Sequence, residues 1–207
     1  MTMRLAVAIS GRGSNLAALL AALPAGGGSG AGGGPAEVVL ALSNRAAAGL
    51  ELARERGIPA LVLADPADGR EWLDALAAHR VDLIVLAGYL KLVPPEVVER
   101  YRGRIINIHP ALLPAFGGPG MYGRRVHEAV LASGAAVSGA TVHLVDEVYD
   151  RGRVLAQARV PVRPGDTPDT LAARVLEVEH RLLPAVVLAA AAAGRPVPLP
   201  EPVELPS

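Results

Sequence analysis

Short apolar runs alternate with helical segments along the first half of the chain, and this alternation limits the possible folds more than any other feature. Strands that are apolar on both faces are typical of a parallel sheet covered by helices on both sides. The runs that predict strands are 3–10, 37–43, 59–64, 81–88 and 105–109. The segments that predict helices are 16–23, 46–57, 68–80 and 95–101. Helix 46–57 ends at a glycine, a typical stop signal.

The second half of the chain departs from this alternation. A helix at 124–133 precedes two alternating runs, 136–147 and 153–162, which predict an antiparallel hairpin. A long helix then begins at Asp166 or Thr167, with Pro168 in its first turn, and Pro184 should kink or divide it. We therefore expect an α/β, Rossmann-like fold with a mostly parallel twisted sheet, helices on both faces, the hairpin and a long C-terminal helix.

The sequence predicts one domain over 1–195, followed by a proline-rich tail over 196–207 on the surface. Residues 25–35 contain seven glycines and predict a flexible surface connection without a function.

Bulk composition excludes several classes of function. The chain has no cysteine, which rules out disulfides, thiolate zinc sites and cysteine nucleophiles. Its 20 basic and 20 acidic residues balance, so we expect neither nucleic acid nor a membrane surface as partner. The N-terminus is not a secretory signal, and the apolar run from Leu182 is shorter than the roughly 20 residues that span a bilayer. A cytoplasmic protein is expected.

A glycine-rich turn, "GRGSN", joins the first strand to the first helix. Such a turn exposes backbone N–H groups at a helix N-terminus and favours phosphate, although a plain tight turn is equally compatible with it. It is not a dinucleotide fingerprint, because that pattern requires glycine at Leu16.

Asn107 and His109 interrupt an apolar strand at alternate positions, so both side chains project from the same face. Pro110 ends the strand directly after them. An amide beside an imidazole suits a developing oxyanion, while the alternative is a satisfied buried polar pair. In parallel sheets ligands bind beyond the carboxyl ends of strands, where "GRGSN", "GYLKL" and "NIHP" all fall.

The remaining polar residues are less informative. Most acids in a hairpin loop are solvated, which applies to Asp146, Glu147 and Asp150. Four histidines show no metal-ligand spacing and are expected to be structural: His79, His127, His143 and His180.

Six segments in this order resemble the phosphoribosylglycinamide formyltransferase family of folate-dependent enzymes. They are "AISGRGSNLAALL", "LSNRAAAGLELARERGI", "DLIVLAGYLKLV", "IINIHPALLPAFGG", "SGATVHLVDEVYDRG" and "PGDTPDTLAARVLEVEHRLLP". The resemblance implies formyl transfer from 10-formyltetrahydrofolate, a co-substrate, to the amine of glycinamide ribonucleotide in purine biosynthesis, without a metal. It also allows a homodimer.

The resemblance implies specific roles, residue by residue. Asn107, His109 and Asp150 match the catalytic group. The residues that match contacts to the ribonucleotide are Gly13, Ser14, Asn15 and Glu179. Those that match contacts to the folate are Arg70, Leu90, Lys91, Leu92, Val93 and Asn107. Residues 1–103 would form the nucleotide side, and residues 104–195 the catalytic and folate side.

Three departures from the family pattern bear on the site. Lys91 replaces a common arginine, and the segment 117–126 reads "GGPGMYGRRV". Arg151 and Arg153 follow closely after Asp150, and if either pairs with it, the carboxylate would raise the pKa of His109 less.

Other functions share the catalytic strand. Methionyl-tRNA formyltransferase would be expected to carry a further nucleic-acid-binding domain, and formyltetrahydrofolate hydrolase a regulatory N-terminal domain. A nucleotide-phosphate sensor without catalysis is a third alternative.

Overall fold

The structure is a computed structural model that describes residues 2–23 and 34–200. Strands and helices alternate along these residues. The strands are β1 (Met3–Ile9), β2 (Ala36–Ser43), β3 (Ala60–Val62), β4 (Leu83–Leu86), β5 (Ile105–His109), β6 (Val137–Leu144) and β7 (Val154–Pro161). The helices are α1 (Ser14–Ala22), α2 (Ala48–Glu55), α3 (Gly69–Ala78), α4 (Pro95–Arg100), α5 (Arg124–Ala132) and α6 (Pro168–Ala193).

The strands form one seven-stranded sheet in the order β3-β2-β1-β4-β5-β6-β7. The first five pair in parallel, and β6 and β7 add to the edge as an antiparallel hairpin. From β1 the chain builds outward in one direction through β2 and β3, then returns to the other side with β4 and β5. The strand order therefore reverses between β1 and β4, the point at which open α/β sheets bind ligands. The predicted fold class is confirmed.

Alternate residues of the central strands supply two hydrophobic cores. Leu5, Val7 and Ile9 of β1 belong to the core that includes residues of α1 and α6, and Ala6 and Ala8 belong to the opposite core. The second core contains Trp72 from α3, which is fully buried. Because both faces of the sheet are covered, the surface open to a ligand lies at the carboxyl ends of the strands.

α6 is longer and more continuous than expected. It runs unbroken over 26 residues with Pro184 inside it, so of the two expected outcomes, a kink or a division at this proline, the division does not occur. Pro184 is buried, as are Leu182, Leu183 and Val186 beside it. Packing of these residues compensates for the hydrogen bond that a proline removes from a helix interior.

The start of α6 agrees with the prediction. Thr167 is the N-cap, and its hydroxyl accepts from the Thr170 N–H at 3.2 Å while Thr170 Oγ1 accepts from the Thr167 N–H at 2.9 Å. The Asp166 carboxylate accepts hydrogen bonds from both terminal nitrogens of Arg174, at 2.7 and 2.8 Å. The helix direction is thus fixed at its first turn.

The segment after α6 lies closer to the sheet than expected. The N–H of Leu199 donates to Leu155 O on β7 at 2.9 Å, and Pro196 is buried. Residues 196–200 therefore lie on the surface and are held against β7, with Pro198 and Pro200 exposed. Most of the glycine tract at 25–35 lies outside the described residues.

Across residues 2–23 and 34–200, the structure contains no helix that is both long enough and apolar enough to cross a membrane.

Candidate active site

A cleft of about 990 Å³ opens at the carboxyl ends of the central strands. The loop after β1 lines it with residues 11–15, the loop after β4 with residues 88–93, and the end of β5 with residues 107–110. The far walls come from α5, the β6–β7 turn and one face of α6. The three sequence motifs meet in one cleft, as expected from their positions at strand ends.

β5 places Asn107 and His109 on one face of the sheet, where the antiparallel β6 pairs with them. Asn107 lies opposite His143 and His109 opposite Thr141. The His109 side chain is buried, with 3% of the residue exposed. The amide and the imidazole are adjacent within the cleft wall, as their spacing predicts.

Asp150 reaches the same place from the turn between β6 and β7. Its Oδ2 lies 3.7 Å from His109 Nδ1 and accepts the Gly118 N–H at 2.9 Å. Its Oδ1 lies 3.5 Å from His143 Nε2. Burial alone would raise the pKa of Asp150, but its contacts with His143, the Gly118 N–H and His109 hold that pKa below its ordinary value. Asp150 is therefore a carboxylate at neutral pH.

The ring of His109 is oriented from both sides. Its Nε2–H donates to the Phe116 carbonyl at 2.9 Å, which leaves Nδ1 facing Asp150. Burial lowers the pKa of His109, while Asp150 and the Phe116 carbonyl raise it. The carboxylate thus favours the protonated ring in a setting that opposes charge.

The two arginines beside Asp150 do not pair with it. Arg151 and Arg153 are exposed, and none of the ion pairs formed within the described part of the chain joins either side chain to Asp150. The carboxylate is left to the two histidines.

His143 has a larger role than its sequence context indicated. Its Nδ1 must carry a hydrogen, because it lies 2.8 Å from the Leu144 carbonyl. The Nε2 of a neutral ring then accepts from Asn107 Nδ2 at 3.1 Å. One imidazole therefore contacts two of the three expected catalytic side chains. The signal that could have revealed it was the register of β5 against β6.

His127 also lines the cleft from α5, where it is buried. Its Nδ1 has no hydrogen-bond partner within residues 2–23 and 34–200, and burial followed by nearby His109 lowers its pKa. His127 and His143, which the sequence indicated to be structural, thus both line the cleft.

The "GRGSN" turn, which follows β1, lines another part of the cleft. Gly13 has φ +75 and caps α1 without a side-chain hydrogen bond. Ser14 and Asn15 follow in the first turn, and Asn15 Nδ2 donates to Glu179 Oε2 at 2.7 Å. Burial raises the pKa of Glu179 to about 7, opposed by that hydrogen bond. All four residues predicted for the ribonucleotide line the cleft.

The residues predicted for the folate divide into two groups. Leu90, Lys91 and Leu92 are exposed along the cleft wall, and Val93 is buried within it. Arg70 is exposed on the first turn of α3 and does not line the cleft, whereas Ala67 does. The predicted contact from Arg70 to a ligand stays a prediction.

No cluster of three or more histidine, cysteine, aspartate or glutamate residues suited to a metal ion occurs in residues 2–23 and 34–200.

The sequence profile of a protein family described as "Formyl transferase" matches residues 3–187. This chain belongs to the formyl transferase family. The match runs from β1 into α6, so it includes every strand of the sheet and every side chain of the cleft described above.

Individual formyl transferases extend the match. A phosphoribosylglycinamide formyltransferase of Mycobacterium tuberculosis (strain ATCC 25618 / H37Rv) is 44% identical over 197 residues, which cover 92% of this chain and 86% of that protein. The chloroplastic phosphoribosylglycinamide formyltransferase of Arabidopsis thaliana is 49% identical over 192 residues, or 89% of this chain. The chain spans 64% of the Arabidopsis protein and 59% of the matching one from Vigna unguiculata.

A solved structure gives the same result. The phosphoribosylglycinamide formyltransferase from Brucella melitensis superimposes with a TM-score of 0.80 at 44% identity, over 93% of this chain and 97% of that one.

Proposed function

We propose that this formyl transferase moves the formyl group of 10-formyltetrahydrofolate to the amine of glycinamide ribonucleotide, which yields formylglycinamide ribonucleotide in de novo purine biosynthesis. The observation that carries the proposal is the gathering of Asn107, His109 and Asp150 around one cleft wall, with 3.7 Å between His109 Nδ1 and Asp150 Oδ2. The 44% identical relative from M. tuberculosis is named for this activity.

The chemistry requires an oxyanion stabiliser and a proton carrier. When an amine attacks a formyl carbon, the carbonyl oxygen becomes negative, and the departing folate nitrogen must gain a proton. Asn107 Nδ2 has two hydrogens, of which His143 takes one, so the second can donate to the oxyanion. A protonated His109 can donate to the same oxygen and act as general acid through Nδ1–H, because the 3.7 Å from Nδ1 to Asp150 Oδ2 is longer than a hydrogen bond and leaves that hydrogen available.

Asp150 supports both roles of His109. Its negative charge raises the pKa of His109 against the effect of burial. It also offers an acceptor for a water that relays protons between the amine and the leaving nitrogen. Asn107, His109 and Asp150 are therefore proposed as the catalytic group.

The folate is proposed to occupy the wall after β4. Residues 91–93 belong to no helix or strand, and their backbone polar groups bond to no other described residue, so a flat heterocycle can hydrogen-bond to them. The Leu90 N–H is already bound to Ser10 Oγ at 2.9 Å. Leu90 and Leu92 offer exposed apolar contact, and Lys91 offers a cation for a carboxylate. The polar and apolar groups present fit such a co-substrate.

The ribonucleotide is proposed to occupy the part of the cleft that is lined by Gly13, Ser14, Asn15 and Glu179. A single domain over 1–195, metal independence, a cytoplasmic location and a homodimer remain predictions from the sequence.

The test is a direct assay of the purified chain with both substrates, following loss of formylfolate and formation of formylated ribonucleotide. Loss that requires the ribonucleotide supports the proposal. Equal loss with water alone would instead identify a hydrolase, loss that requires methionyl-tRNA would identify the tRNA enzyme, and ribonucleotide binding without turnover would identify a sensor.

A further inference from the structure

The backbone around Arg12 is held rigidly by neighbouring elements. Arg45 Nε donates to the Ser10 carbonyl at 2.7 Å, and the Gly49 N–H at the start of α2 donates to the Gly11 carbonyl at 3.1 Å. A Cβ on Gly13 would lie 2.7 Å from the Gly49 Cα, so the turn and α2 touch through two glycines. Arg12 therefore projects from a turn that is fixed on both sides.

The side chain of Arg12 is exposed and lines the cleft directly before the N-terminus of α1. Of the ion pairs formed by the described residues, none includes Arg12. Arg124, another arginine of the cleft wall, is paired with both Asp169 and Glu128. Arg12 thus brings a positive charge to this end that no carboxylate of the described chain neutralises.

A second, independent observation indicates a ligand at this end. Asn15 is only 7% exposed, and its Oδ1 has no hydrogen-bond partner within the described residues, although its Nδ2 is bound to Glu179. A buried acceptor without a partner destabilises the folded chain, because the water it has lost is not replaced. A ligand hydroxyl that donates to Oδ1 would remove this cost.

The groups around the start of α1 favour a cation near a bound anion. α1 has no acidic residue in its first turn and no side-chain cap, so its first N–H groups are open to an anion. The buried Glu179 lies at the same end, bonded to Asn15, and its ionised form would repel a phosphate. A guanidinium can offset this repulsion and donate two parallel hydrogen bonds.

We propose that Arg12 binds the 5′-phosphate of the acceptor ribonucleotide, and that it makes the enzyme prefer a phosphorylated over an unphosphorylated acceptor. The N–H groups of Ser14 and Asn15 share that phosphate, and Asn15 Oδ1 accepts from the sugar. This inference rests on the proposed function, since it names the residue that selects the phosphate of that substrate.

The experiment compares wild type with Arg12→Ala, Arg12→Lys and Arg56→Ala. Arg56 is an exposed arginine at the end of α2 outside the cleft, so its loss changes net charge equally. Each variant is assayed with glycinamide ribonucleotide and with the riboside that lacks the phosphate, and its binding of ribose 5-phosphate is measured by calorimetry. Thermal unfolding checks the fold of each variant.

Arg12→Ala should raise the KM for the ribonucleotide by about 10- to 100-fold, the usual effect of losing a hydrogen bond to a charged group. The KM for the folate, and the values for the riboside, should stay within about twofold of wild type. The KM of Arg12→Lys for the ribonucleotide should lie between those of wild type and Arg12→Ala, because lysine keeps the charge without the planar guanidinium. Added salt should weaken ribonucleotide binding more in wild type than in Arg12→Ala.

Two results would overturn the inference. The first is a KM for the ribonucleotide that is the same in Arg12→Ala as in Arg56→Ala. The second is a KM for the riboside that rises in Arg12→Ala as much as the KM for the ribonucleotide. If wild type binds ribose 5-phosphate in a way that depends on Arg12 but transfers no formyl group, the phosphate site stands and the proposed function fails. If wild type transfers formyl and Arg12→Ala is unchanged, only the inference fails.

Discussion

At the scale of single residues, His109 is the group on which turnover should depend most. His109→Ala should lower kcat at least about 100-fold, because general acid catalysis commonly contributes 100- to 10,000-fold. Steady-state kinetics with both substrates measure this loss. His79→Ala, at the end of α3 and outside the cleft, is the control and should keep wild-type kcat. Near-normal turnover by a folded His109→Ala chain would refute its role.

The pH profile should report the charge on Asp150. Because Asp150 raises the pKa of His109, Asp150→Asn should lower that pKa. The fraction of protonated His109 then falls at any given pH, so the high-pH decline of kcat should move to lower pH, with an overall loss of at least about 100-fold. Asp74→Asn, at an exposed position of α3, makes the same chemical change outside the cleft, and its pH profile should match that of wild type.

Glu179 should make stability depend on pH. Its pKa rises from 4.5 to about 7 on burial, so the folded chain binds more protons than the unfolded chain between these values. The free energy of unfolding therefore has its full contribution from Glu179 below about pH 4.5 and loses it as pH rises through 7. The loss is roughly 3 kcal/mol, at about 1.4 kcal/mol per unit of pKa shift.

Urea unfolding from pH 5 to 8 tests this dependence. Glu179→Gln does not titrate at this position, so its free energy of unfolding should decline less than that of wild type over the range. Glu177→Gln, an exposed neighbour on α6, should follow wild type. Parallel curves for wild type and Glu179→Gln would contradict the raised pKa.

At the scale of elements, α6 links the cleft to the core, since it carries Glu179 and contacts α1, α5, β6 and β7. Its start depends on the reciprocal hydrogen bonds of Thr167 and Thr170. Thr167→Ala should lower the free energy of unfolding by about 1 kcal/mol, the usual effect of losing an N-cap. Thr167→Ser keeps the hydroxyl and should stay near wild type in the same urea titration. Equal stability of the two variants would show that the cap contributes little.

The β6–β7 hairpin illustrates how an element, not a motif, completes the site. The sequence showed its alternating pattern, but the register of β6 against β5 is what completes the site. β6 places His143 opposite Asn107, and the turn after β6 brings Asp150 close to His109. Backbone groups contribute as well, since the Phe116 carbonyl and the Gly118 N–H hold His109 and Asp150.

At the scale of the whole molecule, one cleft should bind two different ligands. Glycinamide ribonucleotide and a folate analogue should each raise Tm, by roughly 5 to 10 °C at concentrations near 100 times Kd. Both together should raise it further, because they are proposed to contact different residues of the cleft. A response to the nucleotide alone would favour the sensor.

Sequence reasoning predicted the fold well where the pattern is local. Strands β1, β2 and β5, and helices α3 and α5, lie near their predicted ranges because apolar periodicity reflects which face is buried. β3 has only three residues, fewer than the predicted run 59–64. The sequence left open whether Pro184 kinks or divides α6, and the helix is not divided because the buried neighbours of this proline hold both halves against the core.

The sequence by itself determined the fold class, the three strand-end motifs and the residue types for formyl transfer, because alternation, turn chemistry and strand ends are local properties. Only the tertiary structure decided that His143 contacts both Asn107 and Asp150, that His127 borders the cleft, and that Arg151 and Arg153 leave Asp150 to the histidines. These relations join residues far apart in the chain, such as Asn107 and His143 at 36 positions. Sheet register and loop packing fix them, and neither leaves a local trace in the sequence.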